Sequence, residues 1–375
     1  MLPLSGILVV SMEQAVAAPF CSNRLLMAGA RVIKIERSDG GDFARRYDSA
    51  GKGDSSYFIW LNQGKESISL NLKDNKDKEV FLDIITKADI FIQNFAPNTM
   101  KKLGLERKKL KNVNPRLIIC DISGYGNSPL LAGKKSYDLL IQAESGLISI
   151  SGSPEGVGRI GVSICDIGAG MAAHSSILES LLLKERYGQI EDVKISLFDV
   201  AADWMTVPFI QSQYQKKAPL RVGLKHPSIA PYGAFLNSDN KTIIISIQNE
   251  FEWLRFCENV LEKSSLSKNP KFINNNLRVR NRELLDKTIQ NIFSKMPDFT
   301  LTKKLEKASI AYGRLNSVED LAQHLALKKI DVYNSESKKL SIPSPPLYWN
   351  TTKKKAPRFN EHGEAIRKEF SGQIR

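Results

Sequence analysis

The chain has 375 residues, 42% hydrophobic and 25% charged, which is ordinary globular material with room for two domains or one elaborated domain. Four scattered cysteines (Cys21, Cys120, Cys165, Cys257) argue against disulfides and structural zinc, and the apolar run at 6–10, with no basic residue before it and Glu13 after it, fits neither a secretory signal nor a membrane span, so a soluble cytoplasmic protein is expected. The net charge of +14 would suit nucleic acid, membranes or polyanionic small molecules, but the lysines fall in short runs such as Lys101-Lys102, Lys216-Lys217 and Lys353 to Lys355 without interleaved aromatics, the pattern of a solvated surface.

Ile7 to Val10 and Arg31 to Glu36 read as short buried strands, and Pro19 to Ala28 between them has the length and apolar spacing of a helix. This βαβ unit is followed by a strand at Ser67 to Leu72, a helix at Lys76 to Lys87 and a strand at Ile90 to Gln93. A turn at Ala96-Pro97 and a strand at Leu117 to Ile122 extend the series. The alternation predicts an α/β fold with a mostly parallel, doubly wound, Rossmann-like sheet. A long helical run begins near Asp166 and ends near Lys184, Val193 to Val200 is expected as one more strand, and Ala201 to Tyr214 as a helix. Together these form a large domain at 1–200.

The texture then changes. From Gln215 to Arg221 the chain is polar and basic, Pro227 and Pro231 punctuate the next segment, and Thr242 to Gln248 is a β-branched strand. Phe251 to Leu261, Arg282 to Lys295 and Leu301 to Ala308 have helical spacing, which places a smaller α+β domain at 225–325. Residues 326–375, with Pro343, Pro345, Pro346 and a basic tail, are expected to be extended and to return to the large domain.

No GxGxxG follows the first strand, and neither GxxxxGK[ST], GxSxG nor HExxH occurs. Nicotinamide, nucleoside triphosphate, serine-hydrolase and zinc readings therefore lose their main support, and no metal is expected. Asp166 stands out instead, in Gly161-Val-Ser-Ile-Cys-Asp-Ile-Gly-Ala-Gly-Met171 at the start of the long helix. Small neighbours (Gly161, Ser163, Gly168, Ala169, Gly170) would admit a bulky ligand, and helix N-terminal amides would keep the carboxylate ionised and nucleophilic. The plainer alternative is that Asp166 caps the helix.

Further segments recur in a recognisable order: Ala17-Ala-Pro-Phe-Cys21, Gly29-Ala-Arg-Val-Ile-Lys-Ile-Glu-Arg37 with Gly41-Asp42, Asn62-Gln-Gly-Lys-Glu-Ser67, Ser69-Leu-Asn-Leu-Lys73, Gln93-Asn-Phe-Ala-Pro97, Ser123-Gly-Tyr-Gly126, Tyr137-Asp138 and Asp166-Ile-Gly-Ala-Gly-Met171. With these the chain resembles the class III coenzyme A transferases, a family that also contains the α-methylacyl-CoA racemases. The resemblance implies that Asp166 is the nucleophile that attacks an acyl-CoA thioester, giving first a mixed anhydride and then an aspartyl-CoA thioester. It implies coenzyme A as co-substrate, held by Val16, Arg37, Leu70, Lys73, Asn94, Phe95, Lys102, Lys135 and Tyr137, and an interlocked homodimer.

Tyr137 stands where the racemases carry histidine, which disfavours α-proton transfer. The opening segment and Lys225-His-Pro-Ser-Ile-Ala-Pro-Tyr-Gly233 look closest to mesaconyl-CoA, itaconate and related dicarboxylate transferases, with citramalate and succinate as further small acids. Substrate-side candidates are Arg46 for a distal carboxylate, set against an ordinary surface ion pair, and His226, set against a structural role beside proline. Gln248 and Asn249 replace a glycine-rich loop and could offer amides to an oxyanion. The rival readings are an α-methylacyl-CoA racemase and a basic, non-catalytic protein that binds nucleic acid or acidic partners.

Overall fold

We describe a computed structural model covering residues 1–126, 128–131, 133–215, 220–347 and 355–371. Lys216, Lys217, Lys353 and Lys354 of the basic runs lie outside the described residues. The chain divides into two compact units: Met1–Leu147, Arg159–Phe209 and Lys328–Arg375 form the first, and Ile148–Gly158 and Ile210–Leu327 the second.

The first unit is built on a six-stranded parallel sheet of β1 (Leu8–Met12), β2 (Arg31–Arg37), β3 (Glu66–Leu70), β4 (Ile90–Gln93), β5 (Ile118–Ser123) and β6 (Val193–Ser196). These segments are rich in Val, Ile and Leu because both faces of a parallel sheet are covered. Helices Ala17–Met27 and Ile164–Tyr187 cover one face, with Cys21, Leu25, Ala169 and Ile177 fully buried. Helices Asn75–Lys87 and Gly363–Phe370 cover the other through Phe81, Ile84 and Ile366. The strand order is β3-β2-β1-β4-β5-β6. Chain direction across the sheet therefore reverses between β1 and β4, where doubly wound folds open a ligand crevice at the carboxyl ends of their strands.

Several expected elements change shape. The strand beginning at Val193 stops at Ser196, because the Ser196 side chain accepts from the Asp199 amide at 3.0 Å and starts a helix at Leu197. The expected 201–214 helix is two helices, Leu197–Trp204 and Thr206–Gln215, parted at Met205. Helix Ser56–Asn62 was not anticipated. The chain beyond 326 is not simply extended: Lys329–Tyr333 and Lys339–Pro343 pair as a hairpin, and Gly363–Phe370 is helical. Before that last helix the chain covers the open edge of β3, as the Ser67 amide donates to His362 Nδ1 at 3.2 Å and the Ser69 amide to Asn360 Oδ1 at 2.8 Å.

The second unit has an antiparallel sheet of Ala311–Arg314, Thr242–Ser246 and Tyr232–Leu236, in that order. Its core gathers Ile243, Ile245, Trp253, Phe256, Phe293 and Leu301. Helix Glu250–Arg255 passes into a π turn at Phe256–Val260, so the expected 251–261 helix is not uniform. Among the described residues no helix is long and apolar enough to cross a membrane.

Candidate active site

The loop that follows β1 is Glu13 to Val16. Glu13 is buried and meets Lys65 Nζ at 2.5 Å and Lys34 Nζ at 3.2 Å. Ser11 and Ser22 donate to its other oxygen. Burial alone would raise the Glu13 pKa, but the two ammonium groups outweigh it and hold it at about 2. Burial pushes Lys65 down to about 8 against the pull of Glu13. Lys34 also meets Asp42 at 2.9 Å, and Glu36, two residues along β2, takes Arg45 in a two-pronged pair at 2.6 and 2.8 Å. The next residues of the loop are fixed by amides. The Gln14 amide donates to Asn94 Oδ1 at 2.9 Å, Asn94 Nδ2 returns a bond to the Gln14 carbonyl at 2.8 Å, and the Ala15 amide donates to Asp42 Oδ1 at 3.1 Å.

Asp166 lies in the first turn of helix Ile164–Tyr187, yet it is not the cap. The amides of Cys165 and Asp166 both donate to Asp138 Oδ1, at 2.7 and 3.2 Å, while Gln142 Nε2 holds the other Asp138 oxygen at 2.6 Å. Asp138 thus does the capping from a different helix, Asp138–Glu144. The expectation that free helix amides keep Asp166 ionised does not hold, because those amides are already taken. Burial, and then the negative charge of Asp138, raise the Asp166 pKa to about 7.

The small neighbours also serve differently from expectation. A Cβ on Gly170 would sit 2.6 Å from the Ala17 carbonyl oxygen, and one on Gly168 would sit 2.3 Å from the Trp204 ring, so both glycines admit neighbouring helices rather than a ligand. A Cβ at Gly161 would meet open space.

Aromatic groups lie near the carboxylate. Tyr47 packs edge-on to Tyr57 at 5.4 Å between ring centres and tilts against Phe43 at 5.7 Å. Burial and the charges of Asp42 and Asp166, together with Tyr137, push the Tyr47 phenol up to about 12, which keeps it a hydrogen-bond donor. Ala15, Tyr57, Trp60 and Ile167 share one apolar cluster with Val16, Phe20 and Leu61. Asp166, the β1 loop and these aromatic residues are therefore neighbours. Tyr47 and Tyr57 were not singled out from the sequence, nor were Glu13, Lys34 and Asp42 given roles. The available signal was the alternation of Lys34 and Glu36 inside an apolar strand, where charge has to be paired.

Six of the nine residues expected to hold coenzyme A end or closely follow strands at the carboxyl edge of the sheet. Val16 follows β1, Arg37 ends β2, Leu70 ends β3 with Lys73 just beyond it, and Asn94 and Phe95 follow β4. Lys102 belongs to the short helix Thr99–Lys102, and Lys135 and Tyr137 precede Asp138. Arg37, Lys73, Lys102, Lys135 and Tyr137 are exposed. Val16 and Leu70 are buried, their side chains packed in the interior, so only their backbone is placed to meet a ligand. The Asn94 amide is committed to Gln14.

Arg46 donates to the Gly40 carbonyl at 2.8 Å on an exposed turn, and among the described residues no contact ties it to Asp166. His226, Gln248 and Asn249 belong to the second unit. His226 stacks on Tyr232 at 5.2 Å and accepts from the Ser228 amide through Nδ1. Asn249 caps helix Glu250–Arg255 through the Glu252 amide at 2.9 Å and donates to the Glu252 side chain. Gln248 donates to Ser246 and, through its amide, to Glu252. Asn249 and Gln248 are thus occupied locally rather than free to meet an oxyanion.

Comparison with known proteins gives a consistent picture. The family model described as CoA-transferase family III matches residues 4–363. The acetyl-CoA:oxalate CoA-transferase of Acetobacter aceti is 33% identical over 98% of this chain and 96% of its own length. The succinyl-CoA:glutarate CoA-transferase of Homo sapiens is 29% identical over 98% of this chain and 86% of its own. Among solved structures, a CAIB/BAIF family protein from Brucella suis is 29% identical with a TM-score of 0.83, covering 99% of this chain and 100% of that one.

Proposed function

This chain belongs to CoA-transferase family III and is a CoA-transferase, and from that premise we propose that it moves coenzyme A between small dicarboxylic acids with Asp166 as the covalent nucleophile. The observation that carries the proposal is the uncapped Asp166 carboxylate, raised to about 7, beside Tyr47. An Asp166 oxygen attacks the thioester carbonyl, the C–S bond breaks, and CoA thiolate leaves behind a mixed anhydride. The thiolate then attacks the aspartyl carbonyl, releasing the donor acid and forming an aspartyl-CoA thioester. An incoming carboxylate displaces the thiolate to give a second anhydride, and the thiolate takes the new acyl group as Asp166 departs. Protons balance without a general base, which suits a site where Tyr137 stands in place of histidine.

Relatives named for oxalate and glutarate support dicarboxylates as the class. Within it we favour mesaconate, itaconate, citramalate or succinate, on the likeness of Lys225–Gly233 to transferases of such acids. Arg37, Lys73, Lys102 and Lys135 supply cations for the phosphates of CoA at the carboxyl edge. Free, buried cysteines fit a cytoplasmic enzyme. Met171, Leu178 and Leu182 fall on one face of helix Ile164–Tyr187 and are exposed, as are Val207 and Phe209; we assign this apolar surface to a second copy in an interlocked homodimer.

The test is incubation with a panel of acyl-CoA esters and free dicarboxylates, products read by mass. Transfer to at least one dicarboxylate is expected, with hydroxylamine trapping a label on Asp166 and Asp166→Ala losing at least about 1,000-fold in rate. Full-speed transfer by a folded Asp166→Ala protein overturns the nucleophile. Exchange of the α-proton into deuterated water without an acceptor would favour the racemase instead.

A further inference from the structure

Charge is out of place in the middle of an apolar strand, yet Lys34 and Glu36 occupy alternate positions of β2 and both are buried. The two-residue period puts them on one face. Taking Glu13, Lys34, Lys65 and Asp42 out of water gains no stability that apolar side chains of the same volume would not supply. What this network reaches is the loop after β1 and the turn that carries Tyr47.

Asp42 is the link. Its Oδ2 accepts from Lys34 Nζ at 2.9 Å, and its Oδ1 accepts from the amides of Ala15 at 3.1 Å and Ala44 at 2.9 Å. Ala15 is a non-glycine residue in the left-handed region, with φ of 61°, a conformation that persists only where its surroundings enforce it. Ala15 and Val16 pack with Ile167, the residue after Asp166, and the Ala17 carbonyl lies against Gly170 of the same helix. Ala44 belongs to the 3-10 turn Phe43–Arg46, which ends at Tyr47.

We propose that Asp42, braced by Lys34, is a positioning residue for the transfer reaction, holding the Gln14–Val16 loop and Tyr47 in register with the Asp166 carboxylate. The proposal rests on Asp166 as the nucleophile. Asp42 touches neither acyl group nor CoA; it acts through the left-handed turn at Ala15 and the cap at Ala44.

The test pairs Lys34→Met with Asp42→Leu, which removes both charges together and leaves Glu13 with Lys65. We expect this variant to keep its melting temperature to within a few degrees while kcat falls about tenfold or more and KM for acyl-CoA changes less than about threefold. Adding Ala15→Gly, which takes the left-handed conformation without a side-chain clash, should recover at least about threefold in kcat. A role confined to packing would show no such recovery. Should the pair fail to fold, Asp42→Ala removes the acceptor for the Ala15 and Ala44 amides while Lys34 keeps Glu13, and the same loss and the same recovery by Ala15→Gly are expected. Unchanged kcat in a folded variant overturns the proposal, and so does a kcat loss that Ala15→Gly does not relieve. Rates are taken relative to the unaltered enzyme on whichever acyl-CoA it turns over. Failure of the nucleophile reading appears separately, as transfer by Asp166→Ala.

Discussion

Asp138 and Asp166 lie 28 residues apart in the chain and divide two tasks between them. Asp138 satisfies the helix amides, which leaves Asp166 half-buried, outside the cap and facing a like charge. A carboxylate in that position binds its proton more tightly and is the more basic nucleophile once the proton is gone. In the proposed mechanism the anion is the reactive form, so kcat/KM should rise with pH through about 7 and level off above it. Asp138→Asn keeps an oxygen to accept the amides and removes the charge. Its rising limb should move to lower pH, and a limb that stays at about 7 in the pH–rate profile would refute the coupling. Asp138→Ala also removes the cap and should cost about 1 kcal/mol in denaturant titration. None of this division was legible in the chain. Asp166 could be marked from its own segment, but which aspartate caps the helix depends on where Asp138 arrives in space.

At the scale of elements, helices Ala17–Met27 and Ile164–Tyr187 meet through glycine. Gly170→Ala puts a methyl 2.6 Å from the Ala17 carbonyl oxygen and 3.0 Å from Phe20 Cβ, so one helix must move. Thermal or denaturant unfolding should show a loss of about 1–3 kcal/mol, with transfer activity falling too because that helix carries Asp166, the proposed nucleophile. Most strands of the first unit were readable because a parallel sheet covered on both faces favours apolar, β-branched residues, which β1, β2, β4 and β5 carry even with Lys34 and Glu36 inside β2. The misread stretches were those where one side chain ends an element, as Ser196 does for β6. The carboxyl edge of the sheet collects the exposed Arg37, Lys73 and Lys102 at strand ends or just beyond them. Arg37→Ala and Lys73→Ala should each raise KM for acyl-CoA severalfold with little change in kcat, the signature of groups that hold the phosphates equally in ground and transition states. A fall in kcat with KM unchanged would move them into the chemistry.

For the molecule as a whole, Met171, Leu178, Leu182, Val207 and Phe209 are exposed apolar side chains of the first unit that the proposed homodimer would cover. Light scattering is expected to return about twice the chain mass of 41.9 kDa, and Leu182→Asp with Val207→Asp to lower it. A monomer at micromolar concentration would contradict the dimer. The sequence by itself determined the α/β class and the alternation of β1 to β5 with their helices, and it marked Asp166 as the candidate reactive position. These depend on local periodicity and on motifs contiguous in the chain. Only the tertiary structure decided that Asp138 takes the amides, that Gly168 and Gly170 admit helices rather than substrate, and that Lys34, Asp42 and Glu13 are one buried network. Each of those facts is a contact between residues distant in sequence, and its energy depends on burial and distance, which the order of residues does not contain.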